Sequence, residues 1–232
     1  MSIVFIVSAP SGSGKSTLVN ELFKMVQGLD FSISYTTRLP RGSEKDGKEY
    51  FFVSETEFKA MIAGGEFLEY AKVFGSEGDY YGTARRFLQE SEERGHDLLL
   101  DIDVQGAAQV KEKLPSAVSI FILPPDRDRL EWRLRNRGLD REQVIRRRLD
   151  TARREIENYS KYDYILVNDQ IEQSADELKA IVLSERIIRS EKTPTPEEAR
   201  ILKIAEACRL EQARKQVQPI LASFGAVPVR TS

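Results

Sequence analysis

The stretch that most restricts the fold of this chain lies near its start, where the apolar run IVFIV at 3–7 is followed by SAPSGSGKST at 8–17. A short, continuous apolar run predicts a strand that is buried on both faces of a parallel sheet. The following residues fit the phosphate-loop pattern G-x-x-x-x-G-K-[ST] at all but its first position, where Ala9 stands in place of glycine. Since alanine adds only a methyl group, we expect a modest backbone shift to accommodate it. Residues 15–25 then predict a helix.

This order of strand, loop and helix predicts a cradle for the phosphates of a nucleoside triphosphate. Gly12 and Gly14 would let the backbone approach the phosphates closely. Lys15 would reach the β- and γ-phosphates, and Ser16 would ligate Mg²⁺. The alternative is an ordinary Gly/Ser turn, and the buried strand before it and the helix after it favour the cradle. The residues expected to contact the nucleotide here are Ala9, Pro10, Ser11, Gly12, Ser13, Gly14, Lys15, Ser16 and Thr17.

The rest of the chain alternates between strand and helix patterns, which predicts a doubly wound parallel sheet. Its length of 232 residues fits one α/β domain with an appendage. Further buried strands are predicted at 98–102, 118–123 and 164–167, and helices at 83–94, 127–137, 142–160 and 173–189. Short strands in 31–82 interrupt this order and predict an inserted subdomain. Beyond TPTPEE at 193–198, residues 197–218 predict one helix, which either docks on the domain or a second subunit, or frays as a free terminus.

Two aspartates mark the end of the predicted strand LLLDI at 98–102. Asp101 and Asp103 stand at its carboxyl end, and that end of the strands lines the ligand crevice in an open α/β sheet. Asp101 is therefore a candidate for holding Mg²⁺ through water. The alternative is a strand-end carboxylate that caps the next helix.

Residues 127–154 are rich in arginine, with eleven Arg against five acidic residues. Arg133 and Arg137 lie four positions apart and would share one helix face. Phosphoryl transfer spreads negative charge over the transferred group, and Arg guanidinium groups suit that charge, so a mobile lid is predicted here. A solvated face or an RNA-binding patch are the alternatives. The net charge of −2 and the lack of interleaved aromatic residues disfavour RNA.

The inserted segment carries groups that suit a nucleoside monophosphate. Arg38 and Arg41 stand beside hydroxyls in SYTTRLPR, and Tyr50 and the tyrosines of DYYGT at 79–83 follow, which suits a phosphate monoester. Glu69 in EFLEY could accept the N1–H and N2–H₂ donors of guanine, whereas adenine presents an acceptor at N1. The sequence therefore predicts a guanine nucleoside monophosphate as the acceptor of the phosphoryl group.

Taken together, SAPSGSGKST, SYTTRLPRGSEKDGKEYFFV, EFLEYAKVFG, DYYGT, LLLDIDVQG, RLRNRG and ILVND resemble the guanylate kinase family in order and spacing, over roughly residues 3–190. The resemblance implies an α/β fold: a parallel-sheet P-loop NTPase core with helices on both faces, an inserted mixed α/β GMP-binding subdomain and an Arg-rich helical lid. It also implies Mg²⁺-dependent transfer of the γ-phosphoryl group of ATP to GMP, giving ADP and GDP, in purine nucleotide metabolism and GMP recycling.

The resemblance further implies a role for each matching residue. The residues expected to bind GMP are Ser34, Glu69 and Thr83 around guanine, Arg38, Arg41, Tyr50 and Tyr81 around the phosphate, and Asp103 as a further contact. The residues expected to neutralise the transferred charge are Arg133, Arg137 and Arg148, and the other expected catalytic residues are Lys15, Arg38 and Asp101. Asn168 would lie near adenine, and Asp101 near the metal and the arginines.

The expected organisation is a guanylate kinase-like domain at 1–192 and a helical extension of unknown role at 193–232. Within the domain, the core is expected at 1–33, 84–126 and 156–192, the GMP-binding insertion at 34–83 and the lid at 127–155. The single cysteine, Cys208, and the absence of a long apolar leader predict a cytoplasmic protein. ATP and GMP, with dGMP beside it, are the expected partners, without nucleic acid or membrane, and a homodimer is possible. The rival hypotheses are another monophosphate kinase, a phosphopeptide-binding module and a nucleic-acid binder.

Overall fold

The computed structural model describes residues 2–72, 78–136 and 141–225. The strands are β1 (Val4–Ser8), β2 (Leu29–Phe31), β3 (Tyr35–Thr36), β4 (Phe51–Phe52), β5 (Phe67–Lys72), β6 (Tyr80–Ala84), β7 (Asp97–Asp101), β8 (Val118–Leu123) and β9 (Tyr164–Val167). The helices are α1 (Lys15–Met25), α2 (Glu55–Ala63), α3 (Arg86–Arg94), α4 (Val104–Lys113), α5 (Arg127–Asn136), α6 (Glu142–Ile156), α7 (Ile171–Arg189), α8 (Pro196–Ala207) and α9 (Leu210–Ser223).

The first sheet is parallel and, over the described residues, has five strands in the order β2-β7-β1-β8-β9. Each predicted apolar strand belongs to it, and every residue of β1 and β8 is buried. Such full burial is what a continuous apolar run predicts for a central strand covered on both faces. The predicted α/β class with a parallel core is confirmed.

The second sheet lies in the predicted insertion and has the order β4-β3-β6-β5. Its strands are mixed, since β3 and β4 run parallel whereas β6 is antiparallel to both β3 and β5. Helix α2 begins with a capping box, in which Ser54 and Glu57 exchange hydrogen bonds. The buried ring of Phe58 stacks on Phe67 and Tyr80 at centroid distances of 4.4 and 5.2 Å, which gives this part of the chain an aromatic core.

The chain divides into two compact units. The first, called the acceptor unit after the GMP site predicted in its insertion, consists of the residues up to Ile6 and Gly28–Val118, and holds the second sheet with β2, β7 and α2–α4. The second, called the donor unit after the ATP site predicted at its phosphate loop, consists of Val7–Gln27 and the chain from Ser119 onward, and holds α1, β9 and α5–α9. No helix among the described residues combines the length and apolar character needed to cross a membrane.

Three predicted helices have different bounds. The helix expected from Thr83 begins at Arg86, because Thr83 pairs with Glu69 as part of β6. The helix expected to reach residue 160 ends at Ile156 and is followed by the short 3₁₀ turn Tyr159–Lys161. The helix expected at 127–137 is described as far as Asn136, and Arg137 lies outside the described residues.

The single helix expected at 197–218 is in fact two helices, α8 and α9. Arg209 between them is extended, with φ −60° and ψ 142°, and its neighbours bond to β9. The N–H of Ile165 donates to the carbonyl of Cys208 at 2.7 Å, and the N–H of Leu210 donates to that of Asp163 at 3.0 Å. The extension is therefore docked on its own domain, and the frayed-terminus alternative is wrong for its described residues.

Candidate active site

The phosphate loop connects β1 to α1 in the donor unit. Gly12 and Gly14 have φ angles of 96° and 87°, values that favour glycine. Within the described part of the chain, Glu191 is the only residue other than glycine with a positive φ, so Ala9 does not need the left-handed region. The departure from the usual glycine is thus compatible with the backbone of this loop.

Helix α1 begins directly after the loop without a side-chain cap. Its N-cap residue is Gly14, and its first turn, which contains Lys15, Ser16 and Thr17, has no acidic residue. The first N–H groups of a helix have no partner within the helix, and its N-terminus carries a partial positive charge. This arrangement suits a phosphate, as the sequence predicted.

Asn168 follows β9 and holds the loop from behind. Its side-chain Nδ2 donates to the Ser13 carbonyl at 2.6 Å, and a Cβ at Gly14 would collide with that nitrogen. The residue is 1% exposed, and its Oδ1 has no hydrogen-bond partner among the described residues. Asn168 thus supports the loop backbone, while its expected place near adenine stays a prediction.

Arg133 on α5 is bound to the same loop. Its Nη2 donates to the Asn168 carbonyl at 2.9 Å, and its Nη1 to the Ser13 carbonyl at 3.4 Å. Its predicted contact with the transferred phosphoryl group stays a prediction, as does that of Arg148, which is half-buried on α6. Arg137, the third arginine of this set, lies outside the described residues.

Arg38 is the centre of the predicted GMP phosphate site in the acceptor unit. It is 8% exposed, and its Nε donates to the hydroxyl oxygen of Tyr81 at 3.1 Å. Its guanidinium carbon lies 5.3 Å from the centroid of the Tyr50 ring, which adds a cation–π contact. The structure thus brings three of the predicted phosphate-binding residues together. Burial raises the pKa of Tyr50, so its hydroxyl stays protonated and able to donate.

Glu44 is a member of this site that sequence reasoning missed. Its carboxylate binds Arg38 with two hydrogen bonds of 2.9 and 3.0 Å, and also accepts the backbone N–H of Arg41 at 2.8 Å. The Arg38 guanidinium, and then the Arg41 N–H, hold the pKa of Glu44 below its usual range. The signal that could have identified it is the presence of one acid within six residues of two arginines. The exposed Arg41 side chain remains predicted for the phosphate.

Glu69 on β5 is the buried carboxyl expected to read guanine. It is 4% exposed, and burial raises its pKa to about 7. Thr83 stands opposite on β6, and its hydroxyl and backbone N–H act against burial by lowering the pKa of Glu69, although the hydroxyl does not meet the geometry of a full hydrogen bond. Over the residues that the structure describes, the buried Thr83 Oγ1 has no partner. Two buried polar groups therefore lie side by side with unused capacity for hydrogen bonds.

Gly106 in α4 makes room for this carboxyl, which the sequence did not reveal. A Cβ at Gly106 would lie 2.5 Å from the Glu69 Oε2. Asp103 provides the cap of the same helix, because its Oδ1 accepts the N–H groups of Gln105 at 3.0 Å and Gly106 at 2.8 Å. The capping alternative considered for Asp101 is thus fulfilled by Asp103, whose expected contact with GMP stays a prediction.

Two further predicted residues flank this site. Ser34 precedes β3 and is half-buried, and its carbonyl accepts the N–H of Phe51 at 2.9 Å. Asp101 ends β7 and is also half-buried. The roles assigned to their side chains, guanine for Ser34 and metal for Asp101, stay predictions.

A phosphate loop after the first strand of a parallel sheet, and a buried acid in an inserted sheet with an arginine and two tyrosines, define a P-loop kinase of nucleoside monophosphates. The family model described as guanylate kinase matches residues 1–185, and the chain belongs to the guanylate kinase family. The predicted resemblance is confirmed.

Individual relatives agree with this assignment. The chain is 59% identical over 224 residues to a guanylate kinase of Koribacter versatilis, covering 95% of each. It is 48% identical over 186 residues to one of Vibrio parahaemolyticus, covering 79% of this chain and 88% of that protein. The crystal structure of guanylate kinase from Anaplasma phagocytophilum is similar with a TM-score of 0.63 and 32% identity, covering 94% of each chain. The predicted activity, transfer from ATP to GMP giving ADP and GDP, is confirmed by these relationships.

Proposed function

We propose that this guanylate kinase divides its substrates between its two units, with ATP held by the phosphate loop of the donor unit and GMP held by the acceptor unit. The buried Glu69 carboxyl is the observation that carries the GMP assignment. Burial of a carboxylate is unfavourable unless hydrogen bonds compensate it, so the group gains from a ligand that brings further donors.

Guanine satisfies this requirement and adenine does not. The N1–H and N2–H₂ groups of guanine are adjacent donors that a carboxylate accepts together, whereas N1 of adenine is an acceptor and would face the Glu69 oxygens unfavourably. Thr83 Oγ1, which is buried beside Glu69, supplies a further donor and acceptor. We propose dGMP as a second acceptor, because neither Glu69 nor Thr83 is assigned to the ribose.

Arg38 is prepared for a phosphate before any ligand arrives. Its bonds to Tyr81, the Leu39 carbonyl and Glu44 use four of its five N–H groups. The guanidinium is thereby fixed, so that little conformational entropy is lost when a phosphate accepts from the remaining N–H. Arg41, Tyr50 and Tyr81 are proposed to complete the phosphate site.

The reaction needs no general base in this scheme. The nucleophile is a GMP phosphate oxygen, which is already ionised at neutral pH, so catalysis rests on positioning and charge stabilisation. Lys15 is proposed to hold the β- and γ-phosphates. The spread of charge in the transferred group is proposed to be met by Arg133, Arg137 and Arg148.

Magnesium fits the donor site through few protein ligands. Ser16 is an exposed hydroxyl in the first turn of α1, and Mg²⁺ in kinase sites takes one or two protein oxygens together with substrate phosphates. Bound there, the ion would neutralise charge between the phosphates. The described residues contain no group of three or more His, Cys, Asp or Glu side chains able to hold a metal ion. Asp101 is proposed to hold Mg²⁺ through a water molecule. Asp101→Asn tests this role and is expected to raise the Mg²⁺ concentration needed for half-maximal activity.

The proposed organisation retains the core, the GMP-binding insertion at 34–83, the lid at 127–155 and the extension from 193. A homodimer and the lack of nucleic-acid binding also stay predictions, testable by solution mass and by titration with RNA at low salt.

An ADP-release assay with GMP, dGMP, AMP, CMP and UMP in parallel tests this function. Turnover with GMP and dGMP alone is the expected result, and equal turnover with AMP would contradict the role of Glu69. Lys15→Ala should abolish turnover while GMP binding, measured by calorimetry, stays close to that of the wild type. Near-normal rates in Lys15→Ala would contradict the loop assignment.

A further inference from the structure

The C-terminal extension is built firmly onto the donor unit. Helix α8 starts with a capping box between Thr195 and Glu198 and packs along α7, and Ala205 and Cys208 at its end are buried. This segment lies beyond the residues that the family model matches. Its role is therefore not given by the family assignment.

The turn between α8 and α9 is fixed to the core by side chains as well as by the backbone. Tyr164 donates its hydroxyl to Glu185 at 2.6 Å, and Arg209 lies 3.4 Å from the same carboxylate. The Arg209 guanidinium carbon is 4.8 Å from the centroid of the Tyr164 ring. Helix α9 thus starts from a defined point on β9.

The other end of α9 reaches the start of α5. Ser223 accepts the backbone N–H of Arg127 on its Oγ at 3.1 Å and donates that hydroxyl to the Ile220 carbonyl at 2.7 Å. Arg127 is the first residue of α5, whose initial N–H groups have no partner within the helix. Asp126 caps another of them, at Arg129, with a distance of 2.7 Å. The extension therefore supplies one of the two side-chain hydrogen bonds described at the N-terminus of α5.

Helix α5 in turn contacts the phosphate loop. Leu130 and Leu134 are fully buried, and a Cβ at Gly12 would lie 3.0 and 2.9 Å from their methyl carbons. One turn along, Arg133 binds the Ser13 carbonyl. A displacement of α5 would thus be transmitted directly to the backbone that is proposed to hold ATP.

We infer that the C-terminal extension is a positioning element for the donor nucleotide, and that Ser223 is its positioning residue, acting on the loop through α5. This inference rests on the loop being the ATP site. It gives residues 193–225 a function in ATP binding, and separates that function from GMP binding.

Three full-length variants test the inference. Ser223→Ala removes the side-chain bond to the Arg127 N–H and leaves the cap from Asp126 in place. Ser223→Thr keeps the hydroxyl, and Thr195→Ala removes a cap of the same kind from α8 without touching α5. The readout is the Kd of a non-hydrolysable ATP analogue in the presence of Mg²⁺, measured by calorimetry. The Kd of GMP is measured separately. Melting temperatures show that each variant is folded.

Ser223→Ala should raise the Kd of the ATP analogue about fivefold, as expected for the loss of one capping hydrogen bond, and leave the Kd of GMP unchanged. Ser223→Thr should bind like the wild type, and Thr195→Ala should lower only the melting temperature. Unchanged analogue binding in Ser223→Ala, or equal weakening of GMP, would overturn the inference. A wild-type chain that binds the analogue but does not phosphorylate GMP would instead contradict the proposed function.

Discussion

Gly106 and Glu69 fit together so closely that a single methyl group on the first would meet the second, since the missing Cβ would lie 2.5 Å from Oε2. Glycine in a helix interior normally costs about 1 kcal/mol relative to alanine. Its presence in α4 is explained by the carboxyl that it admits.

Gly106→Ala should therefore impair GMP use more than stability. The added methyl group would displace the Glu69 carboxyl, and crowding of this kind costs about 1–3 kcal/mol, partly offset by the gain in helix propensity. We expect kcat/KM for GMP to fall about tenfold, with the KM for ATP unchanged. Ala108→Gly, at an exposed position of the same helix, is the control and should lower the melting temperature without changing GMP kinetics. Normal GMP kinetics in Gly106→Ala would mean that the carboxyl acts from another position.

The ionisation of Glu69 should make GMP binding depend on pH. Burial raises the pKa of Glu69 to about 7, and guanine binds the ionised form, so affinity should fall as pH decreases through 7. The expected rise in the Kd of GMP from pH 8 to pH 6 is about tenfold. Because the GMP phosphate titrates near pH 6, Glu69→Gln serves as the control that reports the phosphate alone. An identical pH profile in this variant would contradict the role of Glu69.

The ionisation of Glu69 should also make the free energy of unfolding depend on pH. A carboxyl whose pKa is raised on folding destabilises the folded state once it ionises. The contribution of Glu69 to the free energy of unfolding therefore becomes unfavourable as the pH rises from 4.5, the ordinary pKa of the group, towards 7. Glu69→Gln should raise the free energy of unfolding at pH 8 by up to about 3 kcal/mol, and by little at pH 5. Urea denaturation at both values measures the difference. A loss of stability in Glu69→Gln at pH 8 would show that the charge is compensated in the folded state.

Glu44 should support GMP binding by orienting Arg38. Glu44→Gln removes the charge that fixes the guanidinium and should raise the KM for GMP about fivefold, leaving the KM for ATP unchanged. Glu93→Gln changes net charge equally at an exposed position of α3 and should have no effect. The opposite outcome, tighter GMP binding in Glu44→Gln, would show that Glu44 competes with the phosphate for Arg38.

Asn168 should act on the loop irrespective of the donor base. Asn168→Ala removes the amide that holds the Ser13 carbonyl and leaves only the longer bond from Arg133, a loss that costs about 0.5–1.5 kcal/mol. We expect about a tenfold higher KM for ATP, and the same relative rise with GTP as donor. Asp169→Asn, at an exposed neighbour whose ion pair with Arg129 contributes little, is the control. A loss confined to ATP would instead support a contact with adenine.

Features encoded within a short stretch were predictable from the sequence. The loop from Gly12 to Ser16 and the apolar strands follow from local pattern. Glu69 was identified because a carboxylate is suited to accept the hydrogen-bond donors of guanine. Gly106 and Glu44 were missed because their meaning comes from residues that folding brings to them, 37 and six positions away respectively. The break at Arg209 was missed for the same reason, since pairing with β9 overrides helical periodicity.

The pairing of Cys208 and Leu210 with β9 and the residue before it also affects how readily this sheet edge can pair with another chain. β9 is the last strand of its sheet, and an outer strand with unused backbone N–H and C=O groups is a template for pairing with another chain. Here the Ile165 N–H and the Asp163 carbonyl are already bonded within the molecule. The extension thus closes part of an open sheet edge, and its removal would expose a surface prone to aggregation.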